Sequence, residues 1–165
     1  MLNLDTKIPP PLIMLSAAAF LWLATPTLRV ALPLPDHALT WPALALFLGG
    51  VAIDLVSLFY FVRARTTVNP LNPEKTSVLV TSGLYRFSRN PMYLGMLLWL
   101  LALCLYLNNI AGLLVAAAFV AYINRFQIRP EERALQQQFG EAYQRYQQQV
   151  PRWLLFKSNN ESGRQ

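Results

Sequence analysis

Apolar residues in this chain fall into long blocks instead of alternating singly with polar ones. Leu12 to about Leu34 is the first block, interrupted by Pro26 and Arg29; Trp41–Val62, Met92–Leu107 and Ile110–Ile128 are the others. Blocks of roughly 20 apolar residues have the length of a helix that crosses the hydrocarbon core. The pattern therefore predicts an all-α fold, a polytopic membrane helical bundle with about four spans over 12–34, 41–62, 92–107 and 110–128. The second block is the clearest, because 22 residues at 1.5 Å each cover about 33 Å. The third, at about 24 Å, is short for a span. Asn108-Asn109 joins the last two blocks into a helical hairpin.

Between the blocks the chain turns polar. Residues 35–40, PDHALT, read as a short loop, and Arg63–Arg89 as a longer basic connection. Pro70 and Pro73 argue against a helix there, and Val78-Leu79-Val80 reads as a short extended piece. From Pro130 the period changes. Leu135, Phe139, Tyr143, Tyr146 and Val150 recur at helical spacing, with glutamines filling the opposite face. This predicts one amphipathic helix, lying along the membrane surface or packed beneath the bundle. The tail from Lys157 reads as loose. Lys7 before an apolar run could mark a cleaved leader. Asp5 and Pro9-Pro10-Pro11 make a poor leader start, so a retained first span is expected. No internal repeat is present, and a single domain over 1–165 is expected.

Composition sharpens this picture. The chain is 55% hydrophobic and 13% charged, about half the charged fraction of a soluble domain. Its net charge of +6 comes from basic residues beside the apolar blocks, where membrane proteins carry them, so nucleic acid is not an expected partner. With four spans, 13 of the 14 Lys and Arg residues share one side and Arg29 alone falls near the other. The positive-inside rule then places both termini and the basic connection in the cytoplasm. One cysteine, Cys104, cannot form an internal disulfide, and one histidine, His37, makes a metal site an unlooked-for feature. No Walker loop, GxGxxG or GxSxG occurs.

Two cytoplasmic clusters carry the chemistry. In Thr81–Gly95, TSGLYRFSRNPMYLG, aromatic and cationic residues feed into a helix start. Asn90 is a good N-cap, and Pro91 suits the first helical position. A helix start presents backbone donors and a partial positive charge to an anion. An ordinary interfacial anchor has the same composition. The second cluster is Arg125–Glu132, RFQIRPEE, whose acids could bind a cationic ligand or simply start a helix. Asp54, in the middle of the second block, is costly in lipid. It marks either a hydrogen bond to a neighbouring helix or a substrate cavity.

Taken together, these clusters resemble the isoprenylcysteine carboxyl methyltransferase family, and the wider group of small membrane methyltransferases that includes phospholipid N-methyltransferases. The resemblance runs from about Val78 to Pro151. It rests on Leu79-Val80-Thr81, Gly83, Tyr85, Arg89, Pro91, Tyr93, Gly95, Glu131-Glu132, Leu135, Phe139-Gly140, Tyr143 and Tyr146. It implies a helical bundle whose cytoplasmic pocket, within about 77–151, binds S-adenosyl-L-methionine and methylates a lipophilic or lipid-anchored carboxylate or amine. Ser77, Val78, Leu79, Val80 and Tyr85 would line that pocket. Arg89, Asn90, Pro91, Met92 and Tyr93 would hold the cofactor from the helix start, and Glu131 would take its ammonium. The physics is compatible. Aromatic faces attract a sulfonium as they attract quaternary ammonium groups, and in-line methyl transfer depends on positioning and water exclusion.

The chain also departs from the family pattern. Asn90 stands where the family has histidine, and Ser77 where histidine is common. The arginine associated with substrate and catalysis falls on Gln127, leaving Arg125 and Arg129 as candidate replacements. A shift by two residues turns a helix by about 200°. With an amine acceptor, Glu132 or Asp54 would be the proton acceptor. Two other classes compete: an NADPH-dependent membrane reductase of related shape, and a non-catalytic scaffold retaining the fold.

Overall fold

The computed structural model describes residues 8–63 and 78–154, and every regular element within them is helical. The expectations for Ser77, for the Arg65–Lys75 part of the basic connection and for the tail from Lys157 concern residues outside those described. The elements are α1 (Pro10–Leu28), α2 (Asp36–Arg63), a 3-10 turn (Gly83–Arg86), α3 (Pro91–Tyr106), α4 (Gly112–Ile123), a π-helical turn (Asn124–Ile128), α5 (Arg129–Phe139) and α6 (Glu141–Gln149).

α1 and α2, with 19 and 28 residues, are long and apolar enough to cross a membrane; they measure about 29 and 42 Å. Only 11% of the apolar window of each is buried within the protein. Leu23 and Trp41 are each 75% exposed. So large an apolar surface needs a nonaqueous surrounding, and the chain is a membrane protein.

α3 is the central helix, packing on α2 along one side and on α1 and α4 elsewhere. Its Tyr93, Met96 and Leu100 meet Met14 of α1, Phe119 and Ile123 of α4 and Ile128 of the π-turn in the main core. The α2–α3 contact is close because it runs over glycines. A Cβ on Gly50 would overlap the Trp99 indole, and one on Gly95 would overlap the Asp54 carboxylate.

Several sequence-derived boundaries move. α1 stops at Leu28, not near Leu34, because the hairpin tip competes for the next residues. Asn109 Oδ1 accepts from Val30 N–H at 3.1 Å, and Asn108 Oδ1 from Leu32 N–H at 2.9 Å. Asn108 Nδ2 donates to Asp36 at 2.9 Å, and α2 starts there, so most of the expected 35–40 loop is helix. The tip itself runs to Ala111, which delays α4 from Ile110 to Gly112. α4 and α5 are not separated by a loop. Pro130 cannot donate to the carbonyl four residues back, and the wider π-turn just before it relieves that conflict. The single C-terminal helix is instead two, broken at Gly140, whose φ of 51° suits glycine. Their apolar residues Leu135, Phe139, Tyr143, Tyr146 and Val150 gather with Leu79 in a second cluster.

Candidate functional site

The start of α3 meets the start of α5 and the segment after α6. Pro91 occupies the first helical turn as its fixed φ favours. Asn90 does not cap, contrary to the sequence expectation: its side chain makes no capping bond. Its N–H donates to Ser88 Oγ at 3.1 Å, and its Nδ2 donates to the Arg152 carbonyl at 3.1 Å. The bond donated by Nδ2 orients the amide toward this distant segment, and its oxygen makes no capping bond to the helix N–H groups. The same strap receives Arg89 N–H at the Pro151 carbonyl, 2.9 Å, and Ser88 Oγ–H at the Arg152 carbonyl, 3.3 Å. Trp153 Nε1–H reaches Asn124 Oδ1 at 3.2 Å and ties the strap to the π-turn.

Glu132 is clamped between two arginines. Arg89 Nη1 lies 2.9 Å from its Oε1. Arg152 grips both oxygens, Nε at 3.0 Å and Nη2 at 2.6 Å, the planar fork that suits a guanidinium. These hydrogen bonds hold the Arg152 guanidinium above its usual range. Arg89 Nη1 also donates to Tyr143 Oη at 3.4 Å.

Glu131 faces elsewhere. Tyr93 Oη–H donates to its Oε1 at 2.5 Å, joining α3 to α5. Burial pushes the Glu131 carboxyl up to about 8; the Tyr93 hydrogen bond pulls it down, and the Glu132 charge pushes it up again. Tyr85 closes the group from the 3-10 turn. It is buried, stacks edge-on against Phe61 with centroids 5.2 Å apart, and accepts Tyr146 Oη–H on its carbonyl at 2.7 Å. Burial chiefly holds its phenol well above the usual range; Ser57 bonds to it, and Tyr146, Glu131 and Asp54 lie within electrostatic reach.

The structure thus brings together Tyr85, Arg89, Asn90, Pro91, Tyr93, Glu131 and Glu132. Met92, partly buried, sits in the first turn of α3 beside them. Val80 is buried before the 3-10 turn, Leu79 packs into the second cluster, and Val78 is 45% exposed. Arg125 and Arg129 are exposed. Arg125 lies 5.3 Å from the Phe126 ring centroid. Arg129 lines a depression of about 500 Å³ with Glu132, Arg133, Gln136, Gln137 and Gln147. Gln127 is fully buried and donates to the Ile8 carbonyl at 2.7 Å. Ser88 and Arg152 were missed by sequence reasoning. Arg152 lies 20 residues from its partner, beyond any helical period, and only its place just after Pro151 hints at a fixed strap.

Arg89 Nε–H is buried without a partner among the described residues. A buried guanidinium N–H in want of an acceptor, a desolvated carboxyl and two tyrosines can hold an amino-acid zwitterion bearing a ring. Methionine-derived S-adenosyl groups have that form, so the residues fit such a cofactor. Among the described residues no cluster of His, Cys, Asp or Glu could hold a metal. Asp54 Oδ1 is likewise buried without a partner.

Residues 39–142 match the family described as phospholipid methyltransferase. A Haemophilus influenzae protein described as uncharacterized is 49% identical over 63 residues, 38% of this chain and 100% of that protein. Protein-S-isoprenylcysteine O-methyltransferase of Schizosaccharomyces pombe is 32% identical over 77 residues, 47% of this chain and 33% of that protein. A probable protein-S-isoprenylcysteine O-methyltransferase of Oryza sativa subsp. indica is 31% identical over 121 residues, 71% of this chain and 61% of that protein. The chain thus spans between a third and about three fifths of these two methyltransferases. No solved structure matches it.

Proposed function

The chain belongs to the phospholipid methyltransferase family, and on that premise we propose that it transfers the methyl group of S-adenosylmethionine to a lipophilic or lipid-anchored acceptor at the cytoplasmic face of a membrane. The observation that carries this reading is the Tyr93–Glu131 hydrogen bond at 2.5 Å. It joins two sequence clusters separated by a whole helical hairpin. Glu131 takes the cofactor's ammonium, and the unsatisfied Arg89 Nε–H takes its carboxylate. Tyr85 and Tyr93 present aromatic surface to the cationic sulfur, while Val78, Leu79, Val80, Asn90, Pro91 and Met92 form the walls. Bound there, the cofactor supplies an electrophilic methyl group. Glu132, clamped by Arg89 and Arg152, positions Arg89. Arg125 and Arg129 stand at the exposed rim, where they would meet anionic headgroups.

The same reading gives α3 and α4 as two further spans, with the termini and the site in the cytoplasm. The one-sided placement of 13 of the 14 Lys and Arg residues supports it. The reductase and scaffold alternatives are not favoured, since the relatives with a named activity are methyltransferases. S-adenosylhomocysteine binding to protein in nanodiscs tests the proposal. Wild type should bind, and Glu131→Gln or Tyr93→Ala should weaken binding about tenfold or more, the worth of a charge-assisted hydrogen bond. No binding by wild type, or equal binding by both variants, refutes it.

A further inference from the structure

Asp54 sits against Gly95 at the α2–α3 seam, and its Oδ1 is buried with no hydrogen-bond partner among the described residues. One turn away on the facing helix, the Trp99 indole N–H, packed on Gly50, is buried and unpartnered too. A spanning helix keeps a carboxylate where a partner compensates it, and a buried acceptor left unmade is costly. No Lys or Arg compensates this one among the described residues. Arg89 is committed to Glu132 and Tyr143, while Arg125 and Arg129 are exposed.

Its position fits an incoming ligand. Asp54 lies one turn before Ser57, which bonds Tyr85, and Asp54 and Glu131 act electrostatically on that same phenol. The seam therefore adjoins the Tyr85–Tyr93–Glu131 group. On its other side the wall is apolar and outward-facing: Leu55 is 62% exposed and Val56 41%. A carboxylate headgroup brought here would face the unpartnered Asp54 Oδ1, acceptor against acceptor, and be disfavoured. An ammonium headgroup would be attracted, and its tail could lie along α2.

We propose that Asp54 is the acceptor-recognition residue, and that it selects an amine headgroup on an apolar-tailed molecule reaching the seam from the bilayer. Asp54 Oδ1 accepts the hydrogen bond of the ammonium N–H and then its proton, leaving a neutral amine with a free lone pair. This rests on the methyltransferase reading for what happens next, but the recognition can be measured apart from it.

The probes are dodecylamine and dodecanoate, titrated onto protein in an uncharged maltoside detergent and followed by tryptophan fluorescence. S-adenosylhomocysteine is titrated on the same preparation. Wild type should prefer the amine by about tenfold or more, and Asp54→Asn should abolish that preference while holding S-adenosylhomocysteine affinity within about twofold. Equal affinity of wild type for both probes overturns the proposal without any variant. So does Asp54→Asn losing S-adenosylhomocysteine binding together with the amine, because Asp54 then serves the cofactor or the fold. Amine preference in a wild type that binds no S-adenosylhomocysteine leaves the amine site standing and removes the methyltransferase reading.

Discussion

Lowering the pH from about 8 to about 6 should weaken S-adenosylhomocysteine binding by roughly fifty-fold, and Glu131→Gln should remove most of that dependence. Glu131 is pushed up to about 8 in the free protein, but an ammonium partner needs the anion. The ionised fraction is about half at pH 8 and about one per cent at pH 6, and apparent affinity scales with the competent fraction. Binding at about pH 6.5 should therefore release close to one proton, which calorimetry in buffers of different ionisation enthalpy reads directly. Stability runs the other way. A carboxyl raised from 4.5 stabilises the unliganded fold fully below that value and loses the contribution as pH rises through about 8. Resistance to thermal unfolding without ligand should fall over the window in which ligand protection grows. A wild-type affinity that is flat between about pH 6 and 8, or a slope unchanged in Glu131→Gln, would refute the assignment.

Other substitutions test the surrounding structure. Glu132→Gln should cost about 2 kcal/mol or more in a detergent melt, because Arg89 and Glu132 side chains are only 12% and 14% exposed and two guanidinium groups lose their counter-ion; an unchanged melt would mean the clamp is solvated. Asn108→Ala strands the Leu32 N–H and the Asp36 contact at the far end. It should cost about 2 kcal/mol yet leave S-adenosylhomocysteine affinity within about twofold of wild type. Gly95→Ala drives a methyl into the Asp54 carboxylate and should destabilise the α2–α3 contact by about 1–3 kcal/mol, read from unfolding in denaturant.

What the sequence makes legible here follows from the range of the interaction that fixes each feature. The apolar blocks are local, and α3 forms almost where hydropathy puts it. Pro91 is local too, since its ring sets its own φ. Asn90 looked equally local, but its amide is taken by the Arg152 carbonyl, 62 residues away. The end of α1 depends on Asn108 and Asn109, 76 and 79 residues on. No periodicity within a helix carries such information. The Glu131-Glu132 pair is the sharpest case. Its position could be read, but adjacent acids on a helix point about 100° apart, and only the fold shows which one meets Tyr93 and which one is clamped.

That division of labour depends on an irregularity. Counting from Gln127 to Glu131 on a regular helix would place both on one face, and Arg125 or Arg129 well round from it. The π-turn over Asn124–Ile128 breaks this count. It lets one nearly continuous helix bury Gln127 against Ile8, expose Arg125 and Arg129, and still bring Glu131 to Tyr93. Pro130 is the local cause, since a ring without an N–H favours a widened turn just before it. The membrane hairpin and the polar site therefore share one helix but not one register.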